Sequence, residues 1–239
     1  MVPPTPPTYE RSPMTMASLE DLDQEALESF LRRRAPTLYD EADPAQLAAS
    51  VGVLAVGGGR TVPTVAGMLL FGRLPQLLRP EWGVSLVRVG GATLDDPILA
   101  REDMEGNIPS LLHGAEAFVE AQSRALPALA SMGPARAEYP DEALRQVLLN
   151  ALVHRDYRLT GKVAVRLFDE RLEVWSPGGM LLQVPAAKLA RKGGVSFPRN
   201  PLLAASLRLL GKMDSLGRGL PTIRRAMAEV TPTPVSFVT

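Results

Sequence analysis

Between residues 141 and 175, a helical pattern is followed directly by two short stretches in which apolar and polar residues alternate. The apolar side chains of the helical pattern fall on one face and are Leu144, Val147, Leu148 and Ala151. The stretch KVAVRLFDERLEVW at 162–175 then alternates on either side of Asp169-Glu170-Arg171, which predicts a β-hairpin. Because a helix and a hairpin of this kind each have one apolar face, they must pack in layers, and we predict an α+β fold.

Shorter signals place further elements on both sides of this segment. Helix starts are predicted at Asp43–Pro44, Asn107, Asp141, Asn200–Pro201 and Gly217–Gly219. Ser18 and Asp21 resemble a capping box ahead of a helix that ends before Pro36. Strands are predicted at Val84–Val89 and at 234–238, the stretch VPTVAGMLLFG at 62–72 is a compact helix or strand, and the acidic stretch 95–106 is expected to be a solvated loop.

Composition and charge suggest three parts. Residues 1–17 contain five prolines and predict a flexible lead-in. Residues 1–130, the lead-in included, carry 17 acidic and 10 basic side chains. Residues 131–239 carry 9 acidic and 16 basic side chains, which suits an anionic ligand or, equally, neutralisation of one half by the other. We therefore predict a mixed α/β unit at 18–130 that packs on a second unit at 131–239.

Several functional classes are excluded at this stage. The chain has no cysteine, so disulfides, thiolate metal sites and a cysteine nucleophile are excluded, and two histidines are too few for a histidine-built metal site. No apolar run is long enough to span a membrane and no signal peptide is present, so we expect a cytoplasmic protein.

Polar groups line one stripe of the helix that starts at Asp141. Glu142, Gln146, Asn150 and His154 recur every four residues, and such a stripe either lines a ligand cavity or faces solvent. Two glycine-bearing turns follow, Ser176–Gly179 after a strand and Gly217–Gly219 before a helix. Backbone N–H groups exposed at such turns can hold phosphate oxygens, although glycines also serve ordinary turns and caps.

Three segments, in order, resemble a known family. EALRQVLLNALVHRDY, VRLFDERLEVWSPGGM and PRNPLLAASLRLLGKMDSLGRGLPTI resemble the C-terminal part of bacterial RecG-like proteins and transcriptional regulators, a divergent GHKL-type (Bergerat) ATP-binding domain. The resemblance continues upstream through FLRRRAP, VPTVAGMLLFGR and the DDPIL–REDMEGNI segment, and so covers nearly the whole chain from Ser18. In such proteins a Schlafen-type AlbA domain, which is thought to engage nucleic acid, usually precedes this region, and the sequence shows no such module.

The resemblance implies a GHKL-like α/β sandwich at 131–239 and roles for its polar residues. Asn150 matches the asparagine that helps to hold the Mg²⁺ bridging the nucleotide phosphates. Gln146 stands where GHKL ATPases have the glutamate that activates water, and an amide cannot take a proton at neutral pH. The remaining nucleotide-binding candidates are His154, Ser176 in place of an aspartate that recognises adenine, Gly178, Gly179, Gly217 and Gly219.

These inferences lead to a degenerate GHKL-type module that binds ATP with Mg²⁺ and has a regulatory role in transcription or DNA transactions, without turnover. Two alternatives stay open. The chain is a nucleic-acid-binding scaffold that uses its basic second half, or it is an active ATPase in which Glu142 or another carboxylate serves as the base. The expected partners are a nucleotide and nucleic acid, and no membrane association is expected. The sequence leaves open whether the chain forms a homodimer.

Overall fold

The computed structural model describes residues 8–123, 138–179, 198–213, 218–233 and 235–238. Their helices are α1 (Gln24–Arg34), α2 (Pro36–Tyr39), α3 (Pro44–Val51), α4 (Val65–Phe71), α5 (Ile108–Gln122), α6 (Asp141–Val153), α7 (Pro201–Leu209) and α8 (Gly219–Ala228). Their strands are β1 (Leu54–Gly57), β2 (Arg60–Pro63), β3 (Val84–Val89), β4 (Ile98–Met104), β5 (Val163–Leu167) and β6 (Leu172–Trp175). Short 3₁₀ turns lie at Tyr9–Arg11, Leu19–Asp21, Pro75–Leu77 and Pro80–Trp82.

The helix starts follow the capping residues of the sequence. Asp43 accepts the N–H of Gln46 at 2.9 Å, and Asn107 accepts the N–H of Ser110 at 3.1 Å, so the predicted starts of α3 and α5 are confirmed. The Ser18–Asp21 box also forms, with the N–H of Ser18 donating to Asp21 at 2.7 Å. It closes the turn Leu19–Asp21, however, and α1 is capped by the next acidic residue, Asp23.

The main sheet has four strands in the order β4-β3-β5-β6. The pairs β3–β4 and β5–β6 are antiparallel, the latter being the predicted hairpin, and β3 and β5 are parallel. Helices α5 and α6 contact one face of this sheet, and a separate hairpin is formed by β1 and β2. The α+β fold class is confirmed.

One hydrophobic core extends across the boundary predicted at residue 130. It runs from Ala17 and Leu22 near the N-terminal end to Leu203 and Leu207 in α7. The parallel pair β3–β5 likewise joins a strand of the predicted first unit to a strand of the second. The two predicted units therefore share both a sheet and a core.

Residues 8–17, which the sequence assigns to a flexible lead-in, contact the core in the structure. Met14 donates its N–H to the carbonyl of Pro63 at 2.8 Å, and Pro13 forms a bridge with Thr64. Ala17 and Glu10 are fully buried. The proline-rich composition of this segment predicted flexibility because it shows no periodic apolar pattern. In the structure the segment is held by backbone hydrogen bonds to Pro63 of β2 and Val65 of α4 and by the buried carboxylate of Glu10.

Two further predictions are wrong. The acidic stretch 95–106 contains strand β4 and is not only a loop. Its polar sequence resembles a loop because β4 is an edge strand whose side chains are mostly exposed. Residues 235–238 are not a strand, and Val235 and Phe237 pack against a small cluster of Ala143, Ile223 and Ala226 without joining a sheet. Within the described ranges, no helix is long and apolar enough to cross a membrane.

Candidate functional site

Helix α6 carries Gln146, Asn150 and His154 on successive turns of one face. All three are half-buried, whereas Glu142 at the start of the stripe is exposed. The helix begins at Asp141, with two acidic residues in the first turn where the helix dipole favours negative charge. It ends where the N–H of His154 donates to the carbonyl of Asn150 at 3.0 Å. The second half of the polar stripe is thus covered by other parts of the chain and does not simply face solvent.

The start of α8 lies directly on this half of the stripe. A Cβ atom at Gly219 would stand 3.1 Å from Oε1 of Gln146 and 3.1 Å from Nδ2 of Asn150. These distances are closer than ordinary van der Waals contact, so glycine permits the backbone of α8 to approach α6 here. The structure therefore brings together three of the predicted residues, Gln146, Asn150 and Gly219. Gly217 lies outside the described residues.

The amide of Asn150 has an unsatisfied end. Its Nδ2 atom is inaccessible to solvent and has no hydrogen-bond partner among the described residues. A buried donor without an acceptor costs about 1–3 kcal/mol, and proteins usually satisfy such groups. An amide of this kind, next to a helix N-terminus, is suited to a ligand that brings oxygen atoms.

The turn Ser176–Gly179 is fastened to the end of α6. The hydroxyl of Ser176 donates to the carbonyl of Ala151 at 2.6 Å, and the N–H of Asp156 donates to the carbonyl of Pro177 at 2.8 Å. Gly178 has φ +107°, and a Cβ there would meet Cβ of Asp156 at 2.9 Å, so both conformation and space require glycine. Because the hydroxyl proton of Ser176 is donated to α6, only the lone pairs of its oxygen are available to contact a nucleobase.

Arg199 and Asn200, which the sequence analysis did not single out as site residues, hold the turn and the helix end together. Arg199 donates from Nε to the carbonyl of His154 at 3.1 Å and from Nη2 to the carbonyl of Gly179. Asn200 donates from Nδ2 to the carbonyls of Val153 at 2.8 Å and Arg155 at 2.9 Å. The sequence signal at this place, Asn before Pro, indicates a helix start and carries no information about these distant acceptors.

The His154–Tyr157 segment has a structural role. Burial, with a smaller contribution from Arg199, lowers the pKa of His154 and so favours its neutral imidazole. The hydroxyl of the fully buried Tyr157 donates to the carbonyl of Leu152 at 2.9 Å. The indole N–H of Trp82 donates to the carbonyl of Tyr157 at 3.2 Å. These contacts fix the chain as it leaves α6.

We predict a pH-dependent loss of stability for Asp156→Asn. Hydrogen bonds from the Arg158 side chain, at 2.6 and 2.9 Å, are the main cause that lowers the pKa of Asp156 from 3.8 to about 2, against the opposing effect of burial. Because the folded-state pKa is depressed, this stabilisation is present above the unfolded-state value and is lost as the pH falls through the folded-state value. The variant should lose about 2 kcal/mol of unfolding free energy near pH 7 and approach the unmodified protein near pH 2 in urea titrations. An equal difference at both pH values would contradict this.

The ligand atoms available near Asn150 determine how Mg²⁺ could be held. Within the described ranges, no three His, Cys, Asp or Glu side chains form a cluster able to bind a metal ion. Asn150 and Gln146 offer only neutral amide oxygens. Mg²⁺ prefers six oxygen ligands and usually takes several from phosphates and water. These residues therefore fit a Mg²⁺ ion that arrives with a nucleotide and do not fit a metal site formed by the protein alone.

Comparison with known proteins gives a family match over part of the chain and matches to solved structures. The family model HATPase_c_4, described as "Putative ATP-dependent DNA helicase recG C-terminal", matches residues 161–239. The matched residues include both glycine turns and begin after α6, so they do not include Asn150. A search of curated proteins found no match.

A solved structure supports the fold over most of the chain. The crystal structure of the DIP2311 protein from Corynebacterium diphtheriae is similar with a TM-score of 0.61 and 26% sequence identity. The similarity covers 92% of this chain and 42% of that chain, so this chain spans less than half the length of that protein. The family match supports an HATPase-type domain at 161–239, and the structural match supports the α+β fold.

Proposed function

We propose that this chain binds a magnesium–nucleotide, with ATP as the first candidate, at the site formed by α6, the turn Ser176–Gly179 and the start of α8. The observation that carries the proposal is the close approach of the Gly219 backbone to Gln146 and Asn150, beside a buried amide donor without a partner. The match to an HATPase-type family supports nucleotide binding at this coarse level. The GHKL character of the domain and the role of each residue belong to the proposal.

The start of α8 has the chemistry that a phosphate group requires. The first N–H groups of a helix have no acceptor within the helix, and the helix dipole adds partial positive charge there. Gly219 and Leu220 occupy these positions in α8, next to Asn150. When a magnesium–nucleotide is bound, Asn150 would supply an amide oxygen to the metal ion, and these N–H groups would hold phosphate oxygens.

We propose a regulatory role because neither of the two described candidates for the base, Gln146 and Glu142, is suited to hydrolysis. Gln146 can orient a water molecule but cannot accept its proton at neutral pH. Glu142, the alternative base, lies eight residues before Asn150, about 12 Å along the helix at 1.5 Å per residue. Its carboxylate is exposed and pairs with Arg225 at 3.5 Å. The family description, which names an ATP-dependent DNA helicase, supports a link between this regulation and DNA transactions.

The test of this function separates binding from turnover. We expect ATP with Mg²⁺ to raise the thermal unfolding midpoint, because a ligand that binds only the folded state stabilises it. We expect phosphate release to stay near background, since a general base typically contributes about 10²–10⁴-fold. Gln146→Glu should raise phosphate release, and Gln146→Ala is the matched control. Rapid release by the unmodified chain would refute the regulatory role, and no thermal shift with ATP, ADP or GTP would refute binding.

A second candidate function, the binding of single-stranded nucleic acid, is favoured by the face of the sheet opposite α5 and α6. We name this the outer face, and its residues are Ser85, Val87, Arg101, Asp103, Lys162, Ala164, Arg166, Arg171, Glu173 and Trp175. None of them is buried, and Trp175 is 53% exposed. The outer face carries four basic and two acidic side chains. An exposed indole beside basic side chains can stack on a base while the cations contact phosphates.

We predict weak, salt-sensitive binding of a labelled single-stranded oligonucleotide through the outer face. Trp175→Ala and Arg166→Ala should each weaken binding, about tenfold for the tryptophan, because a stacked base is worth about 1–3 kcal/mol. Arg224→Ala, an exposed arginine on α8 away from the sheet, is the control. Fluorescence anisotropy at several salt concentrations measures this, and affinity should fall as salt rises. No binding at low salt would refute the second candidate.

A further inference from the structure

Glu10 is fully buried and caps a helix that lies 192 residues away in sequence. Its Oε1 accepts the N–H of Leu202 at 2.8 Å, and its Oε2 accepts the N–H of Leu203 at 2.9 Å. The hydroxyl of Thr8 also donates to Oε1, at 2.9 Å. Leu202 and Leu203 are the second and third residues of α7, whose N–H groups have no acceptor within the helix. A carboxylate from the 3₁₀ turn Tyr9–Arg11 thus caps the N-terminus of α7, in place of a residue next to the helix in sequence.

This cap leaves the side chain of Asn200 available for another contact. Asn200 precedes α7, and asparagine is among the residues that most often cap a helix from this position. Its side chain makes no cap here, and its Nδ2 donates instead to the carbonyls of Val153 and Arg155 at the end of α6. The carbonyl of Val153 is among those that a helix end leaves without an internal partner, and that of Arg155 lies in the segment that follows the helix. Glu10 therefore caps the start of α7, and Asn200 binds the end of α6 and the segment after it.

The same junction extends to the candidate nucleotide site. Arg199, next to Asn200, donates to the carbonyls of His154 and Gly179 and lies 3.5 Å from the carboxylate of Asp156. The position of α7 consequently determines where the end of α6 and the turn Ser176–Gly179 lie relative to each other. Asn150 is one turn before His154 on the same helix.

We infer that Glu10 is a positioning residue for the nucleotide site and that it acts through Asn200. Without the Glu10 carboxylate, two buried N–H groups of α7 lack an acceptor, and Asn200, at the capping position, carries an Oδ1 atom that can serve as a replacement. Rotation of Asn200 onto α7 would release the carbonyls of Val153 and Arg155 and loosen the end of α6. This inference rests on the proposed function, because the property that Glu10 would control is the affinity for nucleotide.

The variants Glu10→Gln, Asn200→Ala and their combination test the inference. Glu10→Gln replaces one acceptor oxygen with a donor that faces an N–H group. Asn200→Ala removes the two bonds to α6 and leaves the Glu10 cap in place. Asp43→Ala is the matched control because it removes a carboxylate cap from α3, which has no part in the junction. Should Glu10→Gln not fold, Asn200→Ala still tests whether the junction controls the site.

Calorimetric titration with Mg²⁺ and ATP should show about tenfold weaker binding for each single variant and no further loss for the double variant, because coupled residues are not additive. Asp43→Ala should bind as the unmodified chain does. Full affinity in folded Glu10→Gln or in Asn200→Ala, or additive losses in the double variant, would overturn the inference.

Hydrogen exchange distinguishes failure of the inference from failure of the proposed function. If the unmodified chain binds no nucleotide, the function proposed above is wrong, and the positional role of Glu10 is then measured without ligand. Amides of residues 150–156 and 176–179 should exchange faster in Glu10→Gln than in Asp43→Ala, because the junction holds both segments. Equal exchange in the two variants would overturn the positioning role on its own.

Discussion

Replacing Arg155 with methionine should lower the free energy of unfolding by about 3–5 kcal/mol, the largest stability change that we expect from a single substitution in this chain. The side chain is fully buried at the end of α6. Its guanidinium donates to the carbonyls of Glu81 at 3.1 Å, Leu159 at 2.9 Å and Gly161 at 2.7 Å. It also lies 4.8 Å from the centre of the Tyr157 ring. Methionine fills similar space but leaves these carbonyls without a donor.

The measurement is urea unfolding of Arg155→Met, with Arg224→Met as its control. Arg224 is exposed on α8, and a surface substitution of this kind usually changes stability by less than about 0.5 kcal/mol. The cost at Arg155 arises because buried carbonyls that lose a charged donor are not rehydrated. If both variants lose similar stability, the guanidinium contributes little and the chain after α6 is held mainly by apolar packing.

Asn150→Ala should have opposite effects on stability and on nucleotide binding. Removal of a buried donor that has no partner among the described residues should leave the unfolding free energy of the free protein unchanged or raise it, since that donor costs about 1–3 kcal/mol. The same substitution removes the proposed amide ligand of the magnesium–nucleotide. We expect an affinity loss of about 10- to 100-fold, the range for a hydrogen bond to a charged group.

The matched control for Asn150→Ala is Asn107→Ala. Asn107 caps α5, so its removal should cost about 1 kcal/mol of stability without changing affinity. Thermal unfolding and calorimetry on both variants measure the two quantities. Unchanged affinity in Asn150→Ala would remove Asn150 from the site, and a large loss of stability would show that its amide has a structural partner.

Local signals in the sequence predicted most of the elements. Asp43 and Asn107 are caps that act within three residues, and the hairpin β5–β6 is closed by its own turn, so neighbouring residues suffice to determine them. Strand β4 was missed because an edge strand has one neighbour and its side chains stay exposed. The parallel pairing of β3 and β5 joins residues that are about 80 apart in sequence, and no local pattern specifies it.

The candidate site was predicted in part. Helical periodicity alone placed Gln146, Asn150 and His154 on one face, and the structure brings Gly219 against the first two of these. Arg199 and Glu10 could not be identified, because their acceptors and donors are distant in sequence. Asp156 had no role assigned to it, and of the two arginines that contact it, Arg199 is 43 residues away in sequence.

The central claim is that Mg²⁺ and a nucleotide bind together at α6, and calorimetric titration of the unmodified chain tests it most directly. ATP, ADP and GTP are each titrated with and without Mg²⁺, and Mg²⁺ is titrated alone. Because the described residues near Asn150 provide no carboxylate cluster, Mg²⁺ alone should give no heat, and at least one nucleotide should bind more tightly when Mg²⁺ is present. Absence of heat from all three nucleotides at millimolar concentration, or binding that does not change with Mg²⁺, would contradict the claim.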